Sequence, residues 1–313
     1  MQNAIQSRVE KPLLSSQFPL LGVPRQGKVR DIYDLGQFLL LVATDRISAF
    51  DVVLPDGIPG KGYVLTQLSR FWFDWFSGRG ISHHFVTDDV DRFPENCRPY
   101  RALLAGRSLL VRKAAPLPVE CIVRGYMAGS GWKEYRKTGA IAGEVLPPGL
   151  RSSSRLPTPI FTPSTKAPVG EHDQAISFHE MESLCGVALA RTVRDISLSI
   201  YQDASAHAES VGLVIADTKM EFGLDPETGA PMVIDELLTP DSSRFWPEAT
   251  PDRPQVSFDK QFVRDYLLLH WDGTGPPPPL PAEIIQQTSQ KYFEALERLT
   301  GMAPGVHPCP SPR

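Results

Sequence analysis

Gly27-Lys-Val-Arg-Asp-Ile-Tyr-Asp-Leu-Gly-Gln-Phe-Leu-Leu-Leu-Val-Ala43 is the stretch that decides which kind of sheet this chain builds. Val29–Tyr33 alternates, Asp34–Gly36 carries a turn signal, and Phe38–Ala43 is a continuous apolar run. Strand, short turn and strand predict an antiparallel hairpin rather than a βαβ unit. The same residues dispose of a nucleotide motif. Gly22–Lys28 spells G-x-x-x-x-G-K, the opening of a Walker A loop, but the next residue should be Ser or Thr and is Val29. That motif should also open a helix facing the phosphates, whereas Val29–Tyr33 alternates like a strand. What remains is narrower: a glycine and a lysine in a hairpin, where backbone N–H groups and one cation can approach phosphate oxygens.

Outward from the hairpin, the first twenty or so residues read as a short leading helix or arm. Leu65–Phe76 has apolar residues at helical spacing, and its aromatics read as core. Leu109–Val111 and Val119–Val123 read as strands separated by Pro116 and Pro118. Pro147–Pro168 holds six prolines and is expected to be loop without a regular element. One long helix is predicted over Phe178–Ala208. Leu213–Ala216 and Met232–Ile234 are apolar strands flanking a turn at Asp225–Gly229. After Ser257 come two helices split by a Pro276–Pro281 linker. The pattern is α+β, β-rich first and more helical later.

Composition narrows the function. The 313 residues are 42% hydrophobic, enough for one large domain or two modest ones sharing a cleft. The 36 acids nearly balance 32 Lys and Arg, so the chain lacks the basic face of a nucleic-acid binder. Four widely spaced cysteines form no C-x-x-C pair, which points to free thiols in a reducing compartment. No stretch approaches a signal peptide or a membrane span, and the chain reads as cytoplasmic.

Chemistry concentrates in a few words of sequence. Asp217, Lys219 and Glu221 alternate as they leave an apolar strand, so a continued strand would project all three to one face. The next strand ends in Asp235, and a tight turn between the two would bring Glu221 and Asp235 together. Carboxylates converging around a lysine suit a magnesium–triphosphate site, while a solvated hairpin edge is the alternative. Asp241-Ser-Ser-Arg244 offers hydroxyls and a guanidinium for a phosphate monoester; a capped turn with a surface arginine is its alternative. Arg124-Gly-Tyr-Met-Ala-Gly-Ser130-Gly131 allows close backbone approach to an anion, or is simply a glycine-rich turn before a helix. Thr44–Asp51 is a polar loop beside a rigid strand, and Phe161–Lys166 adds hydroxyls and a lysine.

Together these stretches resemble the SAICAR synthase (phosphoribosylaminoimidazole-succinocarboxamide synthase) family. The matching words are GKVRDIYD (Gly27–Asp34), ATDRISAFD (Ala43–Asp51), RGYMAGSGWKEY (Arg124–Tyr135), FTPSTKA (Phe161–Ala167), IADTKMEFG (Ile215–Gly223) and DELLTPDSSRFW (Asp235–Trp246), in the family's order. Met127 and Met220 stand where Leu and Phe are expected, which removes no charge or donor. The resemblance implies a two-lobed, ATP-grasp-like α+β fold with ATP between a β-rich lobe (residues 1–115) and a larger lobe (116–313) ending in the C-terminal helices. It implies an ATP-dependent ligase joining carboxyaminoimidazole ribotide (CAIR) to L-aspartate through an acyl phosphate, acting as a monomer or small homo-oligomer. By the same resemblance Gly27, Lys28, Arg30 and Lys113 contact ATP, and Glu221 and Asp235 hold Mg2+. Arg124, Ser130, Ser243, Arg244, Ser48 and Asp51 bind substrates, while Asp217 and Lys219 line the reacting centre. A small-molecule kinase, or a non-catalytic copy of the same architecture, are the rival readings of these residues.

Overall fold

The predicted hairpin lies in a run of three short strands: Arg25–Gln26 (β1), Arg30–Asp34 (β2) and Phe38–Ala43 (β3). Each pairs antiparallel with the next, Tyr33 opposite Leu40. Gly36 takes φ +84° in the β2–β3 turn, where its N–H donates to Asp34 Oδ1 at 2.9 Å. This is the left-handed backbone for which the sequence supplies glycine. Between β1 and β2, Gly27 N donates to Arg30 O at 2.7 Å, so Gly22–Lys28 leads into a hairpin and no helix follows it. The computed structural model describes residues 11–50, 52–166, 173–247, 255, 257, 258 and 260–302; Asp51 lies outside them.

The chain continues through β4 (Arg46–Ala49), β5 (Val52–Gly57), helix α1 (Lys61–Ser77), β6 (Phe85–Thr87), β7 (Ser108–Arg112) and β8 (Ala115–Tyr126). Then come α2 (Gly129–Thr138), β9 (Ala140–Ile141), β10 (Glu144–Val145), β11 (Arg155–Phe161) and β12 (Ser164–Thr165). Last are α3 (Phe178–Cys185), α4 (Val187–Ser210), β13 (Val214–Leu224), β14 (Pro231–Ile234), β15 (Ser243–Trp246), α5 (Gln261–His270) and α6 (Ala282–Thr300). One sheet runs β1-β2-β3-β7-β6; a second runs β11-β8-β13-β14, with β12 also on β8 and β15 on β13.

Two compact units result. One gathers residues 1–68, 87–110 and 259–313, the other 69–86 and 111–258. The C-terminal helices thus lie with the N-terminal strands, where Leu280 N donates to Asp56 Oδ2 at 2.6 Å and Ser289 Oγ to Pro59 O at 2.7 Å. Among the described residues no helix is long and apolar enough to cross a membrane.

Four expectations change. Thr44–Asp51, expected as a loop, carries the strand β4 over Arg46–Ala49, paired antiparallel with β5. The Phe178–Ala208 helix is two helices, broken at Gly186 with φ +86°. A capping box opens the first: Ser177 Oγ accepts from Glu180 N, and Glu180 Oε2 accepts from Ser177 N. Pro147–Pro168 contains a real strand, β11. It tolerates Pro157 and Pro159 because it is the edge of its sheet, and its register slips between Arg155 and Ile160. β8 continues through Pro116 and Pro118, the residues expected to separate two strands; Pro116 falls opposite Gly223, and Leu117–Val119 face Phe222 alone, so the extra residues bulge from β8 and take Pro118 out of the regular ladder with β13.

Candidate active site

β13 keeps its extended course past the apolar start, which sends Asp217, Lys219 and Glu221 to one face and buries Thr218, Met220 and Phe222 on the other. Directly opposite residues share a face. Arg124 and Glu120 of β8 lie opposite Asp217 and Glu221, Arg244 of β15 lies on the far side of Asp217, and Ser164 of β12 lies opposite Glu120. Three stretches distant in sequence therefore converge by register alone.

Asp217 is 7% exposed and receives two guanidinium groups on one oxygen. Arg124 Nη1 reaches its Oδ2 at 2.9 Å, and Arg244 Nη1 bonds the same atom. Arg124 spends its other donors on Thr162 Oγ1 (3.0 Å) and Ser130 Oγ (3.1 Å). Two cations held by one buried anion, with hydroxyls at the rim, form a preorganised anion seat. Glycine makes it possible. Gly129 takes φ +55°, and a Cβ there would lie 2.5 Å from Arg244 Cζ; a Cβ on Gly131 would lie 3.1 Å from Arg124 Cδ. Ser243, expected among the substrate contacts, instead lies opposite Thr218 on the buried face of the sheet, away from this corner, its Oγ 2.8 Å from Thr218 Oγ1.

Further along the face, Glu120 and Glu221 would repel across the β8–β13 ladder. Each is met by a lysine: Lys219 Nζ bonds Glu120 Oε1 at 2.6 Å, and Lys166 Nζ bonds Glu221 Oε2. Burial pushes the Glu120 carboxyl up to about 7, with Lys219 pulling the other way. Burial also works against the Lys219 charge, but Glu120 and Glu221 outweigh it and hold the ammonium above its ordinary range. Asp235 follows Ile234, the residue opposite Glu221, and has φ +70°, an uncommon backbone for a non-glycine. Its carbonyl accepts from His84 Nε2 at 3.1 Å.

Glu221 on β13 and Asp235, just past the end of β14, are hard oxygen donors, and such donors fit a magnesium ion that takes its other ligands from phosphate and water. Among the described residues, no group of three or more His, Cys, Asp or Glu forms a complete protein cage.

In the other unit, Gly27 and Lys28 form the exposed β1–β2 turn, with Arg30 opening β2. Ser48 sits half-buried on β4, opposite Val53. Lys113 belongs to the unit of β8 and β13, between β7 and β8, and is partly exposed.

A family profile described as SAICAR synthetase matches residues 24–274. The chain is 57% identical to the phosphoribosylaminoimidazole-succinocarboxamide synthase of Citrifermentans bemidjiense over 93% of its own length and 98% of that protein's. The chain belongs to the SAICAR synthase family. A SAICAR synthase from Saccharomyces cerevisiae, solved with SAICAR, superposes with TM-score 0.85 at 42% identity, covering 94% of this chain and 99% of that one. A SAICAR synthetase solved in complex with ADP gives TM-score 0.66 at 25% identity, over 90% of this chain and all of the other. The fold is thus the two-lobed α+β fold of SAICAR synthases, and the activity is the ATP-dependent ligase step of purine biosynthesis.

Against that SAICAR synthase frame, residue patterns alone pass over two groups. Glu120 is a lone carboxylate inside the apolar strand Val119–Val123, and an acid so placed needs a partner. Tyr201 sits in the buried stripe of α4, where it reads as core, yet its hydroxyl donates to Ile215 O at 2.6 Å. That carbonyl adjoins the register irregularity between Ile215 and Asp217, so Tyr201 helps set how Asp217 is presented.

Proposed function

We propose that this ligase makes SAICAR from CAIR and L-aspartate by way of an acyl phosphate formed on the face of β8, β13 and β15. A carboxylate resists attack by an amine because it is negatively charged and has no leaving group. Transfer of the γ-phosphoryl group of ATP to a CAIR carboxylate oxygen releases ADP and supplies that leaving group. The aspartate amine then adds to the carbonyl carbon, phosphate departs with the former carboxylate oxygen, and the nitrogen loses its proton. Magnesium, when bound, would neutralise phosphate charge beside Glu221 and Asp235.

The chain's own residues then take these roles. Arg124, Ser130 and Arg244 bind the ribotide, with Arg244 nearest its phosphate, while Ser243 ties β15 to β13 from the opposite face through Thr218. Asp217 aims both arginines at the reacting centre, and Lys219 balances the charge that develops there. Gly27, Lys28 and Arg30 meet the nucleotide phosphates, Lys113 lies by the adenine, and Ser48 and Asp51 help hold the substrates. The observation that carries this reading is the pair of guanidinium groups on Asp217 Oδ2, which builds an anion seat two residues from Lys219. On this reading the enzyme works in the cytoplasm as a monomer or small homo-oligomer.

The acyl phosphate is tested with CAIR carrying 18O in its carboxylate. One labelled oxygen should appear in the released phosphate, and unlabelled phosphate would overturn the mechanism. Phosphate release should also require both CAIR and L-aspartate; a stable phosphorylated ribotide formed without aspartate would instead indicate a kinase.

A further inference from the structure

We propose that Arg46 is a positioning residue for the nucleotide, acting through the Gly27–Arg30 turn; this rests on the reading that the turn meets ATP phosphates. Arg46 is on β4, and its side chain is 12% exposed. Its guanidinium gathers the carbonyls of almost the whole turn: Nε donates to Lys28 O at 3.0 Å, and Nη2 to Gly27 O at 2.9 Å and Arg30 O at 3.2 Å. Nη1 donates to Leu14 O at 2.6 Å, and Nη2 also meets Asp31 Oδ1 at 2.9 Å. Asp31 is fully buried and anchored in turn, its Oδ2 accepting from Ser16 N and Ser16 Oγ, both at 2.7 Å.

A turn approached by phosphate oxygens works only if its carbonyl dipoles point elsewhere, because C=O groups repel an anion and N–H groups attract it. Arg46 draws three carbonyls from four consecutive residues toward itself, and its positive charge stays behind the turn rather than in contact with the ligand. The planar fork is what allows this, since one ammonium cannot meet carbonyls spread over such a span. A lysine there keeps the charge and loses the geometry.

The experiment measures ADP and adenosine dissociation constants by calorimetry for wild type, Arg46→Lys, Arg46→Gln and Lys28→Met. ADP binding should weaken about tenfold in both Arg46 variants, with lysine failing to rescue, while adenosine changes less than about twofold. Equal losses for ADP and adenosine would mean that Arg46 merely holds the fold. ADP affinity within about twofold of wild type in Arg46→Gln and Arg46→Lys would overturn the proposal outright. Lys28→Met separates the two layers. If it weakens ADP while the Arg46 variants do not, only the positioning role falls; if neither does, the assignment of the turn to phosphate falls with it. Melting temperatures of all variants identify any that fail to fold, and Arg46→Gln keeps a donor amide as the milder probe.

Discussion

Replacing Gly129 by alanine should cripple ribotide recognition while sparing the nucleotide. The residue takes φ +55°, where an L side chain costs about 1 kcal/mol or somewhat more. The larger effect is steric. The new methyl would lie 2.5 Å from Arg244 Cζ, and of the two the flexible arginine is the one able to move. Moving it breaks its charged hydrogen bond to Asp217 and takes one guanidinium from the anion seat. A hydrogen bond to a charged group contributes about 1.5–3 kcal/mol, and Arg244 is a third exposed, so the lower half of that range applies. The KM for CAIR should therefore rise about tenfold, with KM for ATP nearly unchanged. Initial rates of ADP release at saturating co-substrates give both constants. Gly139, also in left-handed backbone at φ +74° at the end of the same helix, has open space where its Cβ would go. Gly139→Ala thus isolates the backbone cost: a similar loss of stability with no change in KM. If Gly129→Ala and Gly139→Ala behave alike toward CAIR, the claim that Gly129 exists to seat Arg244 is wrong.

Tyr201→Phe should lower stability by about 1–2 kcal/mol, because Ile215 O loses its partner in a buried setting, and should weaken CAIR more than ATP; a pure stability effect would show that the bulge is held by other means. Glu221→Ala should abolish turnover yet melt within a few degrees of wild type, and near-normal rates at any magnesium concentration would remove Glu221 from the metal role. For pH, burial raises the Glu120 carboxyl from its ordinary 4.5 to about 7, so between those values the folded chain holds a proton that the unfolded chain has released. Stability relative to Glu120→Gln should then fall as pH rises from 4.5 through 7 and level off above; parallel melting curves across that window would contradict the shift.

The hairpin, the alternation of Asp217, Lys219 and Glu221, and the core aromatics of α1 were legible because each rests on a local period or a turn residue. Much of the site was legible as words rather than as geometry. Nothing local reveals that Arg124 and Arg244, 120 positions apart in the numbering, share one oxygen of Asp217, since strand order and register are fixed by the whole sheet. Gly186 carries no local signal, because a single glycine between two helices leaves the apolar spacing almost intact. β11 was hidden by prolines that only an edge strand tolerates, and edge position is a tertiary property. Arg46 reads as a substrate-facing loop residue, and only the structure turns it inward onto backbone carbonyls.

The pairing of charges along β13 has a thermodynamic consequence. Asp217 is matched by Arg124 and Arg244, Glu120 by Lys219, and Glu221 by Lys166. A charged ligand that engages these side chains does so as ion exchange, trading an internal counter-ion for an external one. A divalent cation drawn to Glu221 competes with the Lys166 ammonium and so releases it toward any nearby phosphate oxygen. Cation and polyanion then assist each other's entry, and affinity should respond to added salt less steeply than the number of basic residues in the site would suggest.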